Sequence, residues 1–244
     1  MPATIVTEQP GQGPDMTITH STLTRSAGAA AVAAGLIFIG VQINHPHLDA
    51  TSITTTEMAV RNSLKVLMAA LALVGITGMY LHQVQKMGVL GLVGYLLFGA
   101  NYLVILSTSF VAAYVLPSIA ESNPAYVSDV LAVFNAGHAT GDIGLLQTVK
   151  VVEGALFLVG GLVFGIALFR ARVLTRWAAA LLAVGGVVTA ALTLMPAAFY
   201  RLLALPNSIA LIGLGYSLWL AARTDTTTQP TALDTRLLTA VGVE

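Results

Sequence analysis

Long apolar runs separated by short polar breaks dominate the chain. Windows of about 20 residues, enough to carry a helix across roughly 30 Å of hydrocarbon, mark six runs: 26–43, 64–82, 89–116, 145–169, 177–195 and 206–222. The pattern predicts an all-α, polytopic transmembrane bundle of about six helices. Between the third and fourth runs, Val127, Val130, Leu131 and Phe134 recur at helical spacing with Asp129 and Asn135 among them. This predicts an amphipathic helix within 124–144 on the outer surface, with a seventh, re-entrant segment as the alternative. Asn123 and Pro124 read as its start, and the stretch from Gly137 to Asp142 as a break before the fourth crossing.

The flanks set an expected orientation. Residues 1–24 are polar and hold no Lys or Arg, unlike a secretory signal, and predict a disordered tail. No small-residue cleavage pattern follows the first apolar run, so it should stay as an anchor. Residues 25–223 then form one transmembrane domain, and 224–244 a second flexible tail. Arg25, Lys86, Arg170, Arg172, Arg176 and Arg223 flank alternate ends from Arg61, Lys65 and Arg201. An excess of basic residues marks the cytoplasmic side, so both termini are expected there, in a cell (inner) membrane. Trp177 and Trp219 fall at that same headgroup level.

Composition removes whole classes of function. Of 244 residues, 56% are hydrophobic and 9% charged, against about 45–50% and about 25% in an ordinary soluble domain, and the mean hydropathy is +0.83. A water-soluble globule is excluded. Eleven basic residues balance eleven acidic ones, so there is no basic excess of the kind nucleic acid requires. The chain has no cysteine, which excludes disulfides, thiolate metal sites, iron–sulfur clusters and thiol nucleophiles. Glycine is abundant at 23 residues, and small residues let membrane helices approach closely. Gly161 and Gly165 form a GxxxG pair that reads mainly as packing within one bundle, with a homo-oligomer contact as the alternative.

Ions within the fourth run demand compensation, since each costs at least about 2.5–3.5 kcal/mol near the bilayer centre. On a continuous helix Asp142 and Glu153 fall about 20° apart, with Lys150 about 80° from Asp142, so the three would share one side. Lys150 and Glu153 can pair at i,i+3, as a purely structural link or as acid/base groups. Glu153 would lie roughly 12 Å deep, level with Asn101. Phe98, Asn101 and Thr108 line one face of the third run, and Tyr95 and Tyr102 a neighbouring one. An outward-facing polar pocket lined by Asn101, Tyr102, Thr108, Lys150 and Glu153 is therefore expected, with Arg201 at the outer end as a further contact for a substrate or lipid phosphate.

His45, His47, Asp49 and His138 make a weak metal constellation, because histidines at i,i+2 around a proline do not share a helical face. Haem ligation is not expected, since His82 stands at the opposite end from the others. No cofactor is expected.

From Glu153-Gly154-Ala155-Leu156-Phe157 through Gly165–Arg170, Arg176-Trp177 and Gly213–Trp219, the chain resembles actinobacterial six-helix integral membrane proteins of unknown function. That resemblance, mainly over residues 150–222, implies an inner-membrane helical bundle and no particular activity. Three classes of function stay open. One is an intramembrane enzyme using acid/base catalysis on a lipid-like or terpenoid substrate, with Glu153 or Asp142 as proton donor and Tyr95, Phe98 and Tyr102 stabilising positive charge. Another is a small-solute or proton-coupled carrier, and the third an accessory subunit. Expected partners are membrane lipids and a hydrophobic small molecule.

Overall fold

A computed structural model describes residues 19–43, 49–135, 137–192 and 204–227. Eight α-helices and no strand occur among them: α1 (His20–Gln42), α2 (Thr56–His82), α3 (Val84–Phe110), α4 (Leu116–Ile119), α5 (Pro124–Phe134), α6 (Leu146–Ala171), α7 (Arg176–Leu192) and α8 (Ala204–Thr227). Five stretches are long and apolar enough to cross a membrane: α1, α2, Val84–Ile119, α6 and most of α8. The shorter α7 has 17 residues, about 25 Å of helix. The six long helices pack in chain order, α1 on α2, α2 on α3, α3 on α6, α6 on α7 and α7 on α8, and α8 closes the ring on α1.

Glycines set how close the helices come. A Cβ on Gly28 would lie 2.7 Å from the Gly215 carbonyl oxygen, and one on Gly215 2.6 Å from that of Gly28, so α1 and α8 cross backbone to backbone. The α3–α6 contact is built the same way: a Cβ on Gly94 would meet the Phe164 nitrogen at 2.5 Å, and one on Gly160 the Phe98 nitrogen at 2.6 Å. Gly165 sits against the Ala183 backbone of α7 and Gly161 near the Phe98 ring and Leu182, so both members of the GxxxG pair are used inside the chain. Lipid offers no hydrophobic drive for helix association, and this closeness supplies the dispersion contacts instead.

Helix limits differ from those expected where a threonine cap extends a helix beyond its apolar run. Thr19 accepts from the Thr22 amide and starts α1 at His20, so the last five residues of the expected tail, 20–24, are helical, and 1–18 lie outside the described residues. Thr55 accepts from the Met58 amide and Glu57 lies in the first turn, starting α2 eight residues before the apolar run. The expected amphipathic segment is there but shorter. Asn123 caps α5 through the Tyr126 amide, and the helix stops at Phe134 after 11 residues, too short to cross a membrane. Val127, Val130 and Leu131 pack on Ile53, Met58 and Leu116, so α5 covers this end of the bundle, hereafter the capped end, with its own apolar cluster.

One irregularity sits in that cluster. Val111–Val115 form a π turn, in which the Leu116 amide donates to the Val111 carbonyl. In this register the Ala112 carbonyl would next receive the amide of residue 117, which is a proline and has none. Asn62 of α2 fills the place, its Nδ2 donating to that carbonyl at 3.4 Å, and Tyr114 donates to Ser63 at 2.9 Å. Leu116 thus stays helical before Pro117, where an extended residue would ordinarily be favoured.

Candidate functional site

The two ends of the ring differ in charge. Arg25, Lys86, Arg170, Arg172, Arg176 and Arg223 lie at or near the helix ends on one side, hereafter the basic end. At the other, capped by α5, stand Asp49, Glu57, Glu121, Asp129 and Asp142 together with Arg61, Lys65, Lys150 and Glu153.

Lys150 and Glu153 belong to the second and third turns of α6, which place Glu153 about 10 Å from the helix start. Lys150 Nζ lies 2.6 Å from Glu153 Oε1, and the side chains are 23% and 15% exposed, so the pair is sheltered yet reachable. The single hydroxyl hydrogen of Thr108 on α3 has three acceptors in reach, the Val104 carbonyl at 3.0 Å, the Ile105 carbonyl at 3.2 Å and Glu153 Oε2 at 3.4 Å. Lys150 Nζ also lies 5.5 Å from the centre of the Phe134 ring of α5. Lys65 of α2 is within electrostatic reach of both Lys150 and Arg61. Three successive helices of the ring thereby bring Lys65, Thr108, Lys150 and Glu153 to one level, beside the π turn. Arg61 is engaged elsewhere, paired with Glu57 and donating to the Val41 and Ile43 carbonyls at the end of α1.

The other expected residues divide. Phe98, Tyr102 and Asn101 are fully buried in the middle of the ring. Phe98 packs edge-on against Tyr102 with centroids 5.1 Å apart, and lies 6.4 Å from Phe157 and 6.1 Å from Phe164. Asn207 of α8 donates to the Tyr102 hydroxyl at 3.4 Å across the ring, whereas neither amide atom of Asn101 has a partner among the described residues. Tyr95 belongs to the basic half, stacked on Tyr80 at 4.7 Å and bonded to Thr77. Asp142 stands before α6, exposed, accepting from the Gly144 amide, and the positive φ of Gly144 lies between it and the helix. The angular relation of Asp142 to Glu153, which needs one continuous helix, therefore does not hold. Asp49 accepts from the Thr51 and Ser52 amides ahead of a 3-10 turn, and His138 is exposed. No group of three His, Asp or Glu side chains converges among the described residues. His45, His47 and Arg201 lie outside the described residues.

Two polar residues were not singled out by sequence reasoning. Lys65 reads as a flank charge until Thr55 and Glu57 are recognised as a helix start, which moves it nearly three turns into α2. Asp129 looks like the wet face of α5, but its carboxylate accepts from the Thr140 amide at 2.8 Å, the Thr140 hydroxyl at 2.9 Å and the Gly141 amide at 3.0 Å. These bonds, chiefly those from Thr140, hold its carboxyl below the usual carboxylate range. They also tie the loop before α6 to the cap.

Two shallow, open grooves lie on the bundle. One, of about 390 Å³, runs between α1 and α2 beside Arg61 and Glu57. The other, of about 260 Å³, lies at the basic end beside Arg25 and Trp219. Lys150 and Glu153 line neither. No family model, curated protein or solved structure matches the chain.

Proposed function

We propose that the chain is an integral membrane protein of the cell membrane whose capped end faces outward and binds a small lipid-like molecule with an acidic head. The observation that carries the reading is the Lys150–Glu153–Thr108 group, charged, sheltered between helices and flanked by a second lysine, Lys65. Ions at such depth usually serve a function. A sheltered lysine whose neighbouring carboxylate can be exchanged for another favours an anionic head, and the exposed apolar surface of the neighbouring helices suits an apolar body. An incoming carboxylate or phosphate competes with Glu153 for Lys150. Glu153, kept in place by Thr108, is then free to take up a proton. The π turn beside Thr108 fits this use, since such turns often stand at functional sites.

The basic end gives the orientation its support through the rule that basic flanks stay cytoplasmic. Because the chain lacks cysteine, Thr140→Cys provides a unique label: a membrane-impermeant maleimide should modify it in intact cells, and protection until lysis would reverse the orientation. The binding reading is tested by thermal unfolding in detergent with added long-chain fatty acid or lyso-phospholipid. Wild type should gain stability and Lys150→Met should gain none. Equal gains in the two proteins, or none in either, would refute it.

A further inference from the structure

We infer that the groove between α1 and α8 at the basic end is a binding site for the phosphate head of an anionic phospholipid. Thr22, Arg25, Ser26 and Ala29 form one exposed stripe on α1, and Trp219 of α8 leans over it. The close Gly28–Gly215 crossing brings the two helices near enough for that, a Cβ on Gly28 falling 2.9 Å from the backbone nitrogen of Trp219. Two cationic heads share the one indole: the Arg223 guanidinium carbon is 3.6 Å from the ring centre and that of Arg25 is 5.7 Å away. Each gains from the ring, which gathers both guanidinium groups at the edge of the groove, within reach of one anionic head. Phosphate suits the place because guanidinium forks bind it through paired, charge-assisted hydrogen bonds. The hydroxyls of Thr22 and Ser26 border the same groove.

A membrane lipid rather than a dissolved ion is indicated by what surrounds the cations. Trp219 is a headgroup-level residue type, Ala29 adds an apolar position to the groove, and the exposed ring of Tyr216 stacks on Trp219 at 6.2 Å. A headgroup at the arginines would thus set its acyl chains along the α1–α8 seam. The site lies at the opposite end from Lys150 and Glu153, and its success or failure is independent of the reading given for them.

The test uses the full chain with Trp177→Phe, which leaves Trp219 as the sole tryptophan of the two. The protein is placed in phosphatidylcholine vesicles containing a low, equal fraction of either dibrominated phosphatidylglycerol or dibrominated phosphatidylcholine. Trp219 fluorescence should be quenched preferentially by the brominated anionic lipid. Arg25→Gln and Arg223→Gln should each weaken the preference about fivefold, the effect of about 1 kcal/mol per basic residue near the surface. Arg25→Lys, which keeps the charge, should retain more of it than Arg25→Gln. Equal quenching by the two lipids, or a preference unchanged in the double glutamine variant, would overturn the proposal. Loss of the preference on adding tens of millimolar inorganic phosphate, beyond the loss in sodium chloride of equal ionic strength, would overturn the lipid assignment in favour of the free ion.

Discussion

Along the α3–α6 seam the helices meet midway where side chains are missing, and nearer the capped end they are joined by side chains that carry charge. Gly94 and Gly160 let α3 and α6 meet through their backbones, a contact that has no titratable part and no dependence on pH or salt. Some turns away, the same two helices are joined by Thr108 and Glu153, and Glu153 is held in turn by Lys150. The first kind of contact is stiff and specific to shape. The second can be exchanged for a ligand, because each of its bonds has an equivalent that another polar group could make. That a single helix pair uses both suggests a division of labour, with the bundle fixed midway and adjustable nearer the capped end.

The largest expected break in this contrast is Gly94→Val. Its side chain would meet the Phe164 backbone, which cannot move aside, and should destabilise by about 3 kcal/mol, the upper part of the overpacking range. The same pair of helices supplies a counterpart, since Gly154 has open space around its missing Cβ. Gly154→Ala should be neutral or stabilise by up to about 1 kcal/mol through helix propensity. Thermal unfolding monitored by circular dichroism checks both, and equal losses would erase the distinction between the regions.

Next comes the π turn. Asn62→Leu leaves the buried Ala112 carbonyl without the donor that replaces the missing amide of Pro117, and should cost about 2 kcal/mol. Pairing it with Pro117→Ala, which restores an amide at that position, should return part of the loss. Absence of any such recovery in a double-mutant cycle would remove Asn62 from this role.

The ion pair should give a smaller effect. Breaking a buried pair costs about 3–5 kcal/mol, but Lys150 and Glu153 are 23% and 15% exposed, and solvent screening brings the expectation down to about 1–2 kcal/mol for Glu153→Gln alone. Lys150→Met combined with Glu153→Gln should recover most of that, because no charge is left stranded.

The smallest effect is local. Asp129→Asn weakens the tether to Thr140 and Gly141, and hydrogen exchange at those two amides should quicken while the transmembrane helices keep their protection. The sign with pH follows from the lowered carboxyl: the tether is complete above the ordinary value of 3.8 and is lost as pH falls through the depressed folded value. Exchange at Thr140, corrected for its intrinsic pH dependence, should therefore stay protected from neutrality down to about pH 4. Loosening near pH 6 would point to another group.

The helical class and the apolar runs were legible because a crossing helix must satisfy its backbone internally, which leaves a length and a composition as its trace. The Lys150–Glu153 pair was legible for the same reason: ions in an apolar run stand out. Helix starts were less so, since Thr55 and Thr19 act through one hydroxyl each and lie among other threonines. The error on Asp142 has one cause, a positive φ at Gly144 that interrupts the helical phase, and nothing in hydrophobic periodicity reports a single dihedral. Lys65 coming within electrostatic reach of Lys150, and Asn62 serving Ala112, depend on which helices are neighbours, and one-dimensional patterns do not carry that order.

The central claim is that the polar group at the capped end binds a molecule and does not merely hold helices together. Native mass spectrometry on gently released wild type, Glu153→Gln, and the Lys150→Met and Glu153→Gln double variant separates the two roles, since the double variant should keep its stability but lack both charges. The account predicts a discrete bound mass in wild type that is absent from the double variant although the latter remains folded. A clean unliganded mass in all three, with stability alone following the pairing of the charges, would contradict it.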